Sequence, residues 1–335
     1  MSNNLSPAPG TRLADYEFVD LFLGVDFAEF KGLKNSPNLI DSTPKVLEPA
    51  LMELRSQCRF QFASERDPEF ARTIDKVMYR ITHMRDHNGN DLFILRRSTA
   101  ELRPLEKVGI APFFARQALD PKLSGLILVA GETGAGKTST AVAFLVERMT
   151  RIGGIAVAIE DPPEVPLNGP LGKGRCMQIR ASRRTGGYKE HLVRSLRANP
   201  NVIFLGEVRE EAAAQAVLEA SLNGHLIIST VHAGSVEEAI ERLASLAANG
   251  DINSAYRKLS QGLKMVIWQD LEKVKTSTGF DYQYEYQALS LIGDQNSGAR
   301  SRIGTGKVSN LANDIDMQMR QAKINPLGQA SPSAR

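Results

Sequence analysis

With two cysteines, one tryptophan and no long apolar run in 335 residues, the sequence excludes several classes of protein before any motif is considered. Cys58 and Cys176 lie far apart and in no C-x-x-C pair, so neither a disulfide framework nor a cysteine zinc site is supported, and two reduced thiols are expected. Nothing approaches the roughly 20 consecutive apolar residues of a membrane-spanning helix. Membrane contact would therefore need a partner or a surface patch. The stretch Met1 to Arg12 lacks the basic-then-apolar order of a signal peptide and is expected to be mobile. An excess of charge is also missing: 41 basic against 38 acidic side chains leave +3, too balanced to argue for nucleic acid by itself. Internal repeats and low-complexity blocks are absent. What is left is 42% apolar and 24% charged residues, a globular composition in a chain long enough for two domains.

The chain is organised around Gly131-Glu132-Thr133-Gly134-Ala135-Gly136-Lys137-Thr138, which fits the phosphate-loop spacing G-x-x-x-x-G-K-[ST]. An apolar run, Leu126 to Ala130, precedes it as a buried strand would, and Thr138 to Arg151 follows with helical spacing. Backbone N–H groups must wrap closely around phosphates, so glycines stand where a Cβ would obstruct or where φ must be positive. The free N–H groups of the helix N-terminus favour the same anion. Lys137 reaches toward β/γ-phosphates and the Thr138 hydroxyl is placed to ligate Mg²⁺. The expected nucleotide set is Gly131, Thr133, Gly134, Ala135, Gly136, Lys137, Thr138 and Ser139, with ATP and Mg²⁺ as cofactors.

Around this loop the texture divides the chain. Residues 1–103 read as a small α+β domain: a helix over Thr43 to Gln57 that Pro49 delays or kinks, then strands at Cys58 to Ala63, Val77 to Met84 and Leu92 to Arg97, with His87-Asn88-Gly89-Asn90 as a hairpin turn. Residues 104–118, with Gly109 and Pro112, read as a linker. Residues 119–324 alternate strand and helix, with strands at Leu126 to Ala130, Ile155 to Ile159, Val202 to Leu205 and Leu226 to Ser229. Such alternation predicts a parallel sheet covered by helices, with ligands at the C-terminal strand ends. Asp251 to Leu271 reads as helix, Gly279 to Ile292 as a last strand region, and 325–335 as a frayed tail.

Three further stretches fall at predicted strand ends. Ile159-Glu160-Asp161-Pro162-Pro163-Glu164 brings carboxylates that could serve a Mg-nucleotide by holding metal waters or positioning the attacking water. Asn199 to Arg209 contains a hydrophobic strand delivering Glu207 to its edge, in the manner of a Walker B strand, and Glu207 is the candidate to activate water. Gly206 stands where such strands usually carry a metal-binding Asp, so Mg²⁺ would lean on Thr138, phosphate oxygens and water. In Asn223 to Ala233, His225 and His232 make a poor metal pair, but His232 ends a strand where imidazole could sense the γ-phosphate. His83 and His87 flank a turn and are read as structural.

The set GETGAGKT, IEDPPE, LRANPNVIFLGEVR and NGHLIISTVHA, in that order, resembles the secretion ATPase superfamily, nearest to its PilT-like branch of type IV pilus and type IV secretion motors and to DotB/TraJ-like conjugal transfer ATPases. The signatures run from about Arg80 to His232, with weaker similarity to about Gln269. The resemblance implies a RecA-like P-loop NTPase domain, a smaller PAS-like N-terminal domain and a homohexameric ring. It places Glu160, Asp161 and Glu164 in an acidic box, Glu207 in the catalytic position, and His225 and His232 in a histidine box. It further suggests that Arg80, Arg96 and Arg97 act in trans on a neighbour's nucleotide, while Arg194 and Arg197 precede the Walker B strand, Arg197 as a catalytic candidate. There are departures: Glu132 adds negative charge where relatives often have proline, and the Gly-Gly-Arg segment common after Trp268 is not evident.

The expectation is a cytoplasmic Mg-ATP hydrolase, peripherally associated with an inner-membrane secretion, conjugation or pilus machine, in which direct nucleic-acid binding is not expected. One rival is a DNA-translocating RecA-like ATPase, against which the near-neutral charge and missing aromatic platform count. Another is a nucleotide-binding scaffold, for which Glu207 would be superfluous.

Overall fold

The computed structural model describes residues 10–98, 102–276 and 279–324. Two units are distinguished: Met1–Ala100 together with Asp161–Pro166, and Glu101–Glu160 together with Leu167–Arg335. Both the expected α+β first unit and the expected α/β second unit are observed.

In the first unit the elements run β1 (Asp20–Leu23), β2 (Ala28–Lys31), β3 (Ile40–Ser42), α1 (Glu48–Glu65), β4 (Glu69–Ile74), β5 (Val77–Arg85) and β6 (Asp91–Arg97). The strands form one antiparallel sheet in the order β3-β2-β1-β6-β5-β4. Alternation along β5 and β6 puts Tyr79, Ile81, Phe93 and Leu95 on a buried face, and α1 covers it with Leu51, Leu54 and Cys58. The turn between β5 and β6 is held by the Asp86 carboxylate, which accepts from the N–H groups of Asn88 and Asn90, and Gly89 takes φ +82°.

The second unit runs α2 (Pro112–Ala118), β7 (Gly125–Gly131), α3 (Lys137–Arg151), β8 (Gly154–Glu160), β9 (Gly169–Leu171), β10 (Gly174–Arg180), α4 (Gly187–Leu196), β11 (Val202–Leu205), α5 (Glu211–Leu222), β12 (Leu226–His232), α6 (Val236–Ala247), α7 (Ile252–Gly262), β13 (Leu263–Thr276), β14 (Gly279–Ser290), α8 (Ser297–Gly304) and α9 (Ala312–Ile324). Its sheet has the order β14-β13-β7-β12-β11-β8-β10-β9, parallel from β13 to β10 with an antiparallel strand at either edge. β7 and β11 are buried along their whole length, which is why they read as unbroken apolar runs rather than alternating ones. Parallel strands need crossovers: α5 joins the neighbours β11 and β12, and α3 carries the chain from β7 to β8, three places along the sheet. Among the described residues no helix is long and apolar enough to cross a membrane.

Several sequence readings are corrected. Cys58 to Ala63 is the C-terminal part of α1, not a strand. Arg59-Phe60-Gln61-Phe62 alternates by accident: Phe60 is 78% exposed, and the buried positions Leu51, Leu54 and Cys58 keep helical spacing. Pro49 delays the helix, which follows a 3₁₀ turn at Lys45–Leu47. Asp251 to Leu271 divides at Gly262 into α7 and β13, because Met265, Val266 and Ile267 find a parallel partner in β7 and are buried as strand residues. Pro104 to Ala118, read as a linker, contains α2 and belongs to the second unit. Strands β1, β2, β3, β4, β9 and β10 and helices α8 and α9 are additions that the sequence pattern does not foresee. The tail at 325–335 lies outside the described residues, as does most of the N-terminal stretch expected to be mobile.

Candidate nucleotide site

β7 ends at Gly131 (φ +153°), where the chain leaves the sheet so close to β13 that a Cβ would stand 2.3 Å from the Gln269 carbonyl oxygen. Gly134 (φ +88°) and Gly136 (φ +80°) take a backbone conformation that side chains disfavour, and α3 starts immediately after. The Lys137 Nζ donates to the Glu132 carbonyl at 2.8 Å, so the ammonium lies across the loop. Open glycine backbone, a helix N-terminus and a lysine over the loop fit a phosphate chain. Thr138, in the first helical turn, is the hydroxyl that would ligate a cation bound with it.

The adjacent strands β12, β11 and β8 bring the other candidates to the same edge. His232 pairs in register with Gly131, and its Nε2 lies 2.9 Å from the Glu132 carboxylate. The Thr230 hydroxyl donates to the Gly206 carbonyl at 2.7 Å and the Val208 N–H donates to the Thr230 carbonyl at 2.9 Å, which ties the segment carrying Glu207 to β12. Glu207 is 23% exposed and meets Arg209 at 2.6 Å. Glu160 is 3% exposed and accepts from the Gln178 amide at 2.7 Å. A Cβ at Gly206 would stand 3.1 Å from the Glu160 Cγ, so the glycine in place of the usual Walker B aspartate leaves room for the Glu160 side chain. Four neighbouring strands span roughly 15 Å, enough for a triphosphate and a water.

The remaining candidates meet other partners. Asp161 and Glu164 fall in the segment that groups with the first unit, where Glu164 meets Arg80 at 3.4 Å and its carbonyl accepts from the Ser98 hydroxyl. Arg96 makes a two-pronged pair with Asp20 at 2.8 and 3.1 Å, and Arg97 donates to the carbonyls of Tyr16 and Ala14. Arg194 pairs with Glu190 along the exposed face of α4. Arg197 caps the end of α4, which leads into the start of β11, and His225 precedes β12, its carbonyl accepting from the Gly125 N–H at the start of β7. Both therefore sit at the N-terminal edge of the sheet, about 20 Å of strand away from His232. Within one chain the structure does not bring Arg197 or His225 to the phosphate loop. His83 is structural as read, 8% exposed, bonded to Asp91 at 2.9 Å and stacked on Phe62.

Sequence reasoning missed Gln178, Thr230, Arg209 and Gln269. Arg209 and Thr230 lie inside quoted motifs but were given no role, and Gln178 and Gln269 belong to none, so only strand register shows what each of the four meets.

Comparison with known proteins bears on this arrangement. The chain is 30% identical to the type IV pilus retractation ATPase PilT of Pseudomonas aeruginosa over 54% of its own length and 51% of the relative's. It is 27% identical to the type IV pilus ATPase PilU of the same organism over 69% and 59%, and 31% identical to the HofB homolog, a protein transport protein of Escherichia coli, over 58% and 40%. The chain thus spans about half the length of the curated relatives it matches. Among solved structures, the pilus retraction motor PilT with bound ADP superposes with a TM-score of 0.71 at 22% identity, covering 94% of both chains. The Legionella pneumophila ATPase DotB does so with 0.69 at 18%, covering 91% and 88%. Both share the fold, an N-terminal domain followed by a RecA-like domain. With residues 48–322 matching the family model, the chain belongs to the type II/IV secretion system protein family.

Proposed function

We propose that this protein is an Mg-ATP hydrolysing motor subunit that works as a homohexamer on an inner-membrane secretion, conjugation or pilus machine. The observation that carries the reading is the row of groups on four adjacent strand ends: Lys137 and Thr138, His232, Glu207 and Glu160. Lys137 exchanges the Glu132 carbonyl for phosphate oxygens. The backbone N–H groups of Gly134 to Ser139 and the start of α3 hold the rest of the phosphate chain. Thr138 would hold Mg²⁺, which when bound would supply positive charge to the phosphate oxygens. Glu207, tied in place through β12, takes the proton of the attacking water. Glu160, whose side chain takes the space opened by Gly206, helps to hold that water. His232 leaves Glu132 for the γ-phosphate and couples its presence to β12 and α6. Arg80, alone or with Arg96 and Arg97, acts on a neighbouring subunit's nucleotide.

The names of relatives such as PilT, PilU and the HofB homolog support a motor on a pilus or protein-transport machine. The test is phosphate release over a protein concentration series, with mass measured in parallel and with or without DNA. Turnover that rises as hexamers form and ignores DNA is the expected result. Turnover by monomers, or only with DNA, would overturn it in favour of a translocase, and nucleotide binding without turnover would favour a scaffold.

A further inference from the structure

Gln269, on β13, belongs to none of the four motifs, yet it touches the phosphate loop at both ends. It is 2% exposed, and its Nε2 donates to the carbonyl of Ala135. Its backbone carbonyl lies where a Cβ on Gly131 would fall, and its amide nitrogen lies 3.2 Å from where a Cβ on Gly136 would fall. The loop is therefore folded around this residue.

The other end of the amide is held as well. The Tyr284 hydroxyl on β14 donates to Gln269 Oε1 at 3.4 Å. The Tyr284 ring rests against Gly109, where a Cβ would come within 2.5 Å of it, and stacks on Tyr286 with centroids 5.8 Å apart. Tyr286 in turn accepts from the Ala111 N–H at 3.1 Å. Burial pushes both phenols up, so they remain neutral donors across the working pH range. A primary amide can donate to a carbonyl and accept from a phenol at once, and a carbonyl can only accept, so the orientation of the amide is determined by its partners.

We propose that Gln269, braced by Tyr284, is a positioning residue for nucleotide phosphate binding: by holding the Ala135 carbonyl toward β13 it aims the N–H of Gly136 at the phosphates. The physical reason is the planarity of the peptide, in which C=O and the following N–H point to opposite sides. A carbonyl held on the sheet side puts the next N–H on the ligand side. Without that hold the peptide could rotate its carbonyl oxygen toward the anion, replacing an attraction with a repulsion. The inference rests on the reading of this loop as a nucleotide site.

The experiment uses the full chain, with a fluorescent ADP for affinity, pyrophosphate as competitor, and melting with and without Mg-ADP. Gln269→Leu keeps the bulk and removes the donor. It is expected to weaken both ADP and pyrophosphate about tenfold, the scale of an unmet buried hydrogen bond, and to lower melting somewhat when nucleotide is absent, because the Ala135 carbonyl is left without its donor. Gln269→Glu can donate only when protonated, so its ADP affinity should recover as pH falls toward 5, a profile the wild type lacks. Tyr284→Phe should cost about threefold alone and nothing further when combined with Gln269→Leu, because both act through one amide. If wild type binds ADP while Gln269→Leu binds within twofold of it and Gln269→Glu shows no recovery in acid, the proposal is wrong. If wild type binds no ADP, the nucleotide reading itself fails. Should Gln269→Leu not fold, the Gln269→Glu pH profile and Tyr284→Phe decide.

Discussion

Glu207 and Glu160 illustrate how two carboxylates of the same chemistry are given different surroundings at neighbouring strand ends. Glu160 is buried at the end of β8 with an amide on it, while Glu207 stands partly open beyond β11 with an arginine as neighbour. The more open one can meet a water and release its proton to solvent. Glu207→Gln keeps the size and removes the proposed base, so phosphate release should fall roughly 10²- to 10⁴-fold while fluorescent-ADP affinity stays within about twofold. Unchanged turnover would move the base to Glu160. The Glu132 carboxylate, absent from the usual loop pattern, has a partner in His232, 2.9 Å away. In the sequence its charge looks only unfavourable for phosphate, because a pairing across two strands is invisible before the register is known.

Among elements, α1 tests the difference between local pattern and packing. Leu54 is buried against the sheet of the first unit and Phe60 faces solvent. Leu54→Ala should therefore cost about 2–5 kcal/mol in denaturant unfolding. Phe60→Ser should stay within about 0.5 kcal/mol, whereas a strand with buried alternate residues would make it the costly change. The β5–β6 hairpin carries a pH dependence. Burial alone would push the Asp91 carboxyl up, but the His83 hydrogen bond and charge, followed by Arg85 and Arg59, outweigh it and hold the group below the usual carboxylate range. A carboxylate whose folded pKa is depressed contributes stability above its unfolded pKa and loses it as pH falls through the folded one. Melting should drop as pH is lowered from about 5 toward 3, and Asp91→Asn should flatten that slope while lowering the plateau at neutral pH. An equal slope in both proteins would remove Asp91 from the explanation. α1, α7 and β13 also mark the limits of reading elements locally: helix and strand are confused where short apolar runs carry both periods, and pairing with β7 decides for strand in β13.

At the scale of the molecule, the proposed sharing of the site between subunits makes a prediction that no single chain can meet. Arg80→Ala and Lys137→Ala should each abolish most turnover, but mixed rings of the two should regain some, since a subunit with an intact loop can receive an arginine from a neighbour. A mixture as inactive as its parts would confine Arg80 to its own chain, where it meets Glu164. The sequence by itself determined the phosphate loop, its strand and helix, the parallel α/β character of the second unit and the acidic strand ends. These follow from local rules: glycine where φ is positive, apolar runs where both faces of a strand are covered, helical spacing where one face is. Tertiary structure alone decided which strands are neighbours, and with that which side chains meet. The order β7-β12-β11-β8 sets His232, Glu207 and Glu160 beside the loop and leaves His225 and Arg197 at the opposite edge. Likewise β13, beside β7, places Gln269 under the phosphate loop. Strand order depends on which crossovers bury the most apolar surface together, a sum over the whole chain that no window of sequence contains.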